Sequence, residues 1–428
     1  MRIRMRAACA AIAALISLLA LSCNNSFGIL QTIQGEKKQN GASIFQETAV
    51  FNAFRLGSNY YAVTGGTLQY SAVGADSWSS VPIVSGGYAL RGAVLAGTAT
   101  SGTIFALIET GGEASLGIAV YQSSDGSTWT KVNNLPPENP TGSTTQETTV
   151  ESLDALYTAN GQVYAEYHSY VHNPNSTTQN GASTYTLYYY DHGSDSFKLV
   201  SGITPWNDET FRGVVYDGTY YWFASEYHLF VTTDQYGATD PTGRTSAVST
   251  MLNSAIASEG WSISTSGVAS SWGMWAISFT GDAYSDPAVY LSTKGGYLVQ
   301  YKVGASSATV ENVNTSVPLT QVTAIPAASG YSIVVGTDAI GTTAAVGYYE
   351  GSFGSLNLGS SGSVAGTSAT SVFSTTVSTA PVHVLFYDAA GATALLCVSP
   401  GATSTSYYGL YASSWAAGSL TWSGWAAQ

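Results

Sequence analysis

Two arginines share a local setting. Arg91 stands in LRGAVLAG and Arg212 in FRGVVYDG, each followed by a glycine and then an apolar run. A guanidinium presents five donors in a rigid fork, so two of them aimed at one point would hold an anion. That holds only if both runs are equivalent strands lining one channel. The simpler reading pairs each arginine with an inner carboxylate such as Asp154 in ESLDALYTA. Arg91, Arg212 and Asp154 are therefore the candidate channel residues. Arg55 falls three residues later before its tyrosine pair (Tyr60, Tyr61) than Arg212 does before Tyr220 and Tyr221, and Arg244 lies in TDPTGRTS, a loop.

Other chemistry is thinner. His168 and His172 have the spacing of one helical face, yet EYHSYVHNPNS reads as a strand running into a loop, where that spacing makes no ligand pair. Asp234 and Asp240 lack the alternating Asp and Gly of a calcium loop. There is no Gly-rich phosphate loop, nucleophile elbow or HExxH helix, so neither a metal nor a cofactor is expected.

The most specific single residue is Cys23. It follows MRIRMRAACAAIAALISLLALS, three arginines and then an apolar run of about 15 residues, which is a secretory leader and too short to span a bilayer. LALSC resembles the lipobox of bacterial lipoproteins, with Ser22 as the small residue and Leu19 one position early, as in the looser lipoboxes of spirochaetes. The resemblance implies lipid attachment at Cys23, and several acyl chains, each buried methylene contributing about 0.8 kcal/mol, would make attachment stable. Cys9 leaves with the leader, so Cys397 in ALLCVS has no disulfide partner and reads as a buried free thiol.

Composition agrees with export and excludes some partners. The chain carries 13 Lys and Arg against 26 Asp and Glu, and three of the basic residues are in the leader. Nucleic acid is therefore not an expected partner, because phosphate neutralisation needs clustered cations. Charged residues make up only 9%, whereas 29 tyrosines and 46 glycines accompany abundant Ser and Thr, which favours short strands and tight turns over disorder.

The positioning elements follow from a repeat. Short runs of period two, bounded by Gly, Asn, Asp and Ser, recur in groups of four. The clearest group is YALRGAVLAG, TIFALIE, SLGIAVYQSSDG and STWTKV, spanning 88 to 132. A group before it (48 to 82) and five after it give seven groups at about 55 residues each. The last group is assembled from ATSVFSTT, APVHVLFYDA, SYYGLYAS and SLTWSGW. The one soft helical candidate is SAVSTMLNSAIASEG, 246 to 260. One small twisted sheet cannot cover its own faces, whereas sheets set radially cover one another. The fold class read from this is all-β, a seven-bladed β-propeller of four-stranded antiparallel sheets. It occupies 48 to 428, behind a leader at 1 to 22 and a lipidated tether at 23 to 47 that carries FGILQTIQG, a candidate ring-closing strand.

YQSSDGSTWTKV resembles the Asp-box, the Ser-x-Asp-x-Gly-x-Thr-Trp hairpin of sialidase-like propellers, with one residue missing between Asp and Gly. Ser123, Asp125, Gly126 and Trp129 carry the resemblance, YSAVGADSW and YYDHGSDSF look like degenerate copies, and Trp78, Trp129, Phe197 and Trp422 take equivalent places. The box implies a structural role, not catalysis. A sialidase itself would need three arginines, and only two are equivalent here. Loops 133 to 150, 171 to 183 and 234 to 259, with Trp206 and Trp415, offer surfaces for binding. The expectation is a monomeric, membrane-anchored lipoprotein of the cell envelope, outer membrane and surface or periplasmic face, binding a protein or glycan as an adhesin would. A sialidase-like glycan hydrolase and a periplasmic assembly factor are the alternatives.

Overall fold

A computed structural model describes residue 45 and most of 48 to 428. Outside it lie 1 to 44, the stretches 111–116, 136–147, 173–182, 238–242, 257–272, 281–286, 314–317, 327–330, 338–347, 359–381, 399–408 and 415–425, and a few isolated residues. The leader, Cys23, FGILQTIQG, Trp206, Trp415 and Trp422 therefore fall outside the described residues.

The described chain is all-β apart from one helix. It forms six four-stranded antiparallel sheets and one three-stranded sheet, each built from a contiguous stretch of chain. The innermost strands are Val50–Leu56, Ala89–Ala96, Thr148–Ala159, Phe211–Tyr216, Met274–Thr280, Leu319–Pro326 and Val382–Asp388. Each touches the next in chain order, and the last touches the first. The sheets thus stand radially around a central channel, which defines a β-propeller.

The second strand of each sheet explains the core. Tyr221–Ser225 and Ala288–Thr293 are buried at every position, and Tyr331–Thr337 at all but its first. Such a strand lies between neighbouring sheets on both sides, so its apolar run is continuous rather than alternating. That corrects the reading of the last repeat. Thr393–Val398 (TALLCV) is the second strand there, Val382–Asp388 is the innermost, and Gly409–Ser414 and Ala426–Ala427 follow. ATSVFSTT lies outside the described residues.

Among the described residues the sheet from Phe211 to Thr232 has three strands, and 257 to 272, ahead of the next sheet, lie outside them. After the third strand comes a helix, Arg244–Ile256, that buries Val248 and Leu252 against Trp222, Val231 and Val299. Arg244, expected in a loop, opens that helix and donates to the Tyr301 hydroxyl at 2.7 Å. Two loop readings also shorten, because strand already begins at Thr148 and continues to His172.

Among the described residues no strand is shared between the first and last sheets. They meet face to face, with Phe45, Tyr60, Ala62 and Trp78 packed on Leu395, Cys397 and Leu410. Side chains fasten the seam: Arg55 pairs with Asp388 at 2.7 Å, Tyr60 donates to the same carboxylate at 2.8 Å, and Trp78 Nε1 donates to Gln428 at 3.3 Å. Among the described residues no helix is long and apolar enough to cross a membrane.

Candidate functional site

Each innermost strand breaks its ladder, near its first residues in six of the sheets and mid-strand in Thr148–Ala159. The register skips between Val50 and Asn52, Leu90 and Gly92, Phe211 and Gly213, Met274 and Ala276, Leu319 and Val322, and Val382 and Val384; in Thr148–Ala159 the residue skipped is Asp154. A bulge leaves its extra residue unpaired and turns it out of the sheet. The bulged residues Phe51, Arg91, Asp154, Arg212, Trp275, and Thr320 with Gln321 therefore occupy equivalent places around one mouth of the channel. All three sequence candidates for the channel are among them.

The glycine after Arg212 has a clear cause. Gly213 has φ +147°, and a Cβ there would meet Ile277 Cγ2 at 2.8 Å. Glycine therefore lets this bulge close on the next sheet.

Arg91 and Arg212 lie two sheets apart with Asp154 on the sheet between. Arg91 donates through Nε and Nη2 to Glu109, both at 3.0 Å, and its Nη1 is 3.9 Å from Asp154. Asp154 in turn lies 3.2 Å from His168 Nδ1, and the His168 ring is stacked on Tyr185 at 4.5 Å. This sector holds two carboxylates for one guanidinium.

The neighbouring sector reverses that balance. Arg212 Nη2 donates to Glu226 Oε2 at 3.0 Å, while Lys294 and the Tyr227 hydroxyl both donate to Oε1. Arg212 also lies over the Trp275 ring at 4.8 Å, with the Lys294 ammonium 5.9 Å from the same ring. Burial pushes the Glu226 carboxyl up, but the bonds from Lys294 and Tyr227 and the charges of Lys294 and Arg212 outweigh it and leave the group below its ordinary value. Glu226 and Lys294 come from the turns after the second strands of adjacent sheets. Those turns reach the same mouth as the bulges.

A buried carboxylate braces Glu226 from behind. Glu209 is fully buried and accepts from Ser225 Oγ (2.5 Å), Tyr227 N (2.7 Å), His228 N (2.9 Å) and His228 Nδ1 (2.7 Å). A carboxylate so saturated fixes the turn at 225 to 228. Between the two sectors, Glu166 accepts from the Tyr157 hydroxyl at 2.6 Å and from the Phe211 amide at 3.3 Å. Burial pushes its carboxyl up to about 7 against these bonds.

Below the mouth the channel widens into a cavity of about 580 Å³. Arg212, Trp275 and Tyr157 line it together with Leu156, Ile277 and Phe279, whereas Arg91 is not among its lining residues.

The hairpin candidates lie elsewhere, on the third and fourth strands of the second sheet. Asp125 Oδ1 accepts from Ser127 N and Thr128 N, each at 2.7 Å, and from Ser123 Oγ at 3.0 Å, while Gly126 N donates to Ser123 Oγ at 2.8 Å. These bonds hold the Asp125 carboxyl far below the usual carboxylate range. Gly126 has φ +73° and sits so close on the Tyr61 ring that no side chain fits. Trp129 packs partly buried on the cluster shared with the first sheet, and Trp78 and Phe197 are buried at the matching places. This turn joins sheets and presents no reactive group to the channel.

Sequence reasoning missed Trp275, Lys294, Glu226 and the Tyr157–Glu166 pair. A signal for the first existed. Trp275 in GMWAISF follows an apolar residue and precedes a small one, as Arg91 does in YALRGAV, and both fall at the register break of their strand.

The fold and mouth thus define a β-propeller with a charged, aromatic channel entrance. No family model matches the chain, and no curated protein matches it in sequence. Solved structures similar to it include the extracellular domain of a hybrid two component system of B. thetaiotaomicron, at 12% identity and TM-score 0.47, covering 85% of this chain and 38% of that one. PorZ, a surface component of the type-IX secretion system of Porphyromonas gingivalis, is similar at 10% identity and TM-score 0.46, covering 89% and 38%. YCF48 bound to D1 peptide is similar at 10% identity and TM-score 0.44, covering 83% and 92%. The chain spans well under half the length of the first two.

Proposed function

We propose that this chain is a seven-bladed propeller held outside the cytoplasm by lipid on Cys23, and that its channel mouth binds a macromolecule of the host or the envelope in the manner of an adhesin. One observation carries the binding reading: the register breaks in all seven innermost strands free a residue at the same level, and on four adjacent sheets these are Arg91, Asp154, Arg212 and Trp275. Side chains of that mix suit recognition, since aromatic and arginine residues supply most interface energy. The hairpin at Ser123 to Trp129 is read as a degenerate Asp-box that serves the scaffold.

Binding of the purified protein to immobilised matrix proteins and to a glycan array tests this, with Trp275→Ala beside the parent. Loss of the signal in the variant is expected, and an unchanged signal would move the ligand away from the mouth. Cys23→Ser should release the protein from membranes. Protease shaving of intact cells should remove it, and survival would favour a periplasmic assembly role instead.

A hydrolytic reading is favoured by one contact, the 2.6 Å bond between Tyr157 and Glu166 beside Arg212 in the cavity wall. Against it, Tyr157 is held well above its ordinary value by burial and by Glu166, which opposes its use as a nucleophile. Turnover of fluorogenic glycosides that disappears in Tyr157→Phe would establish it.

A further inference from the structure

The proposed binding role leaves open what class of ligand the channel selects, and its lining narrows the choice. Charge is close to balanced there. Arg212 and Lys294 meet the carboxylate of Glu226, while Glu166 sits behind Arg212 on the Phe211 amide and Glu209 behind Glu226 on the Tyr227 amide. Two cations against three carboxyl groups leave no surplus to hold an anion, so the ligand is not selected by charge. The wall is not dry either. Amide and hydroxyl side chains share it about equally with aliphatic and aromatic ones. A purely apolar ligand would strip those groups of water without replacing their bonds.

Several of the polar groups have bonding capacity to give. Asn52 accepts the Ala53 amide through Oδ1 at 2.9 Å, and Asn160 donates through Nδ2 to the Tyr221 hydroxyl at 2.8 Å, which leaves the other half of each amide uncommitted among the described residues. Among the same residues the Thr158 hydroxyl and the Gln321 amide make no hydrogen bond. Together these groups offer donors and acceptors, and they stand on the first, third and sixth sheets. Asn52 and Gln321 lie at the register breaks that mark the mouth. Thr158 lies four residues beyond Asp154 on its strand, about 13 Å deeper at a rise of about 3.3 Å per residue. Aromatic rings complete the lining. Phe51 is 39% exposed, the one large exposed hydrophobic among the described residues that lines the cavity, and Trp275 stands at the same level on the fifth sheet. A ring with apolar C–H faces and a rim of hydroxyls, each both donor and acceptor, meets both kinds of wall at once. A sugar has that form, whereas a peptide presents its backbone groups along one line and does not match groups set on three separate sheets.

Resting on the channel mouth as the binding site, we propose that the channel takes the end of a neutral oligosaccharide, with a sugar face on Phe51 and Trp275 at the mouth and hydroxyls bonded to Asn52 and Gln321 there and to Thr158 and Asn160 below. Each of these polar groups exchanges a bond to water for an equivalent one, so the hydroxyls set the fit and the aromatic rings supply most of the affinity.

The test is calorimetric titration with maltotriose, cellotriose, mannotriose and triacetylchitotriose, four uncharged trisaccharides that differ in linkage and substituent, beside the acidic sugar sialyllactose. At least one of the four should bind, and its affinity should hold from about 0.05 to about 0.5 M salt, because no net charge is neutralised. Phe51→Ala should weaken it about tenfold and Gln321→Ala about threefold, the scales of one aromatic contact and one net hydrogen bond. Both residues are exposed, so neither variant threatens the fold. Tyr70→Ala, which removes a similarly exposed ring from the third strand of the first sheet, should change nothing. Loss of binding in Tyr70→Ala with Phe51→Ala unchanged would place the sugar outside the channel and overturn the proposal. Binding of sialyllactose and of none of the four would overturn the neutral class and leave the mouth as the binding site. If none of the five sugars binds, the saccharide assignment falls, while the matrix-protein screen with Trp275→Ala still decides the broader reading.

Discussion

Glu166 and Tyr157 face each other across 2.6 Å inside the third sheet, and the other oxygen of Glu166 takes the Phe211 amide of the fourth. One buried carboxyl therefore ties two sheets together at the residue before the Arg212 bulge. The Tyr157 hydroxyl also lies 3.0 Å from the Phe211 carbonyl. A protonated Glu166 can donate to Tyr157 while Tyr157 donates onward to that carbonyl, so the neutral form satisfies every group.

Stability should consequently fall with rising pH over a defined window. The folded carboxyl titrates at about 7 because burial raises it above its ordinary 4.5, so between those values the folded state holds a proton the unfolded chain has lost. The contribution is full below 4.5, is lost as pH climbs to about 7, and is constant beyond. Glu166→Gln copies the neutral form and should remove that slope, leaving the variant roughly 2 to 3 kcal/mol more stable than the parent at pH 8. Denaturant melts at pH 5 and pH 8 measure it. An identical slope in the variant would assign the pH dependence to another group.

The seam between first and last sheets should respond to one carboxylate. Asp388 receives Arg55 and Tyr60 and is largely buried. Asp388→Ala strands both donors and should cost about 2 to 4 kcal/mol, read as a lower thermal midpoint. The exposed Lys198 and Asp191 pair should give no measurable change on Lys198→Ala. Equal effects of the two substitutions would contradict the role given to the seam.

Gly126→Ala should be destabilising by about 1 to 3 kcal/mol, because it meets both a left-handed φ and the Tyr61 ring. Gly74, also at positive φ but with open space around it, isolates the backbone part. Gly74→Ala should cost less, and chemical denaturation of the two variants compares them directly.

Cys397 is fully buried, and burial pushes its thiol far up. An aromatic disulfide reagent at pH 8 should leave it unmodified in the folded protein and label it promptly in guanidinium. Rapid labelling under native conditions would mean that the seam opens readily.

How much of this was legible in the chain varies with the physics of each element. YALRGAVLAG through STWTKV reads plainly because its strands have turn residues between them and a closed carboxylate turn at Asp125. TALLCV does not, because a strand buried on both faces loses its alternation and resembles any apolar run. At the mouth, Arg91 and Arg212 announced themselves through the glycine that follows each. Asp154 was reachable only as an arginine partner, and Trp275 has alanine after it. Glu226 and Lys294 were invisible, since they meet Arg212 through turns of two different sheets, a relation set by register and not by spacing.

The register breaks carry a consequence for how such a chain changes over time. A residue outside the ladder contributes no backbone pairing, so exchanging Trp275 or Gln321 for another type leaves the innermost hydrogen bonds and the buried second strands as they were. Positions freed in this way can change type while the backbone frame stays the same. A lineage can therefore explore new partners one mouth residue at a time without first destabilising the ring.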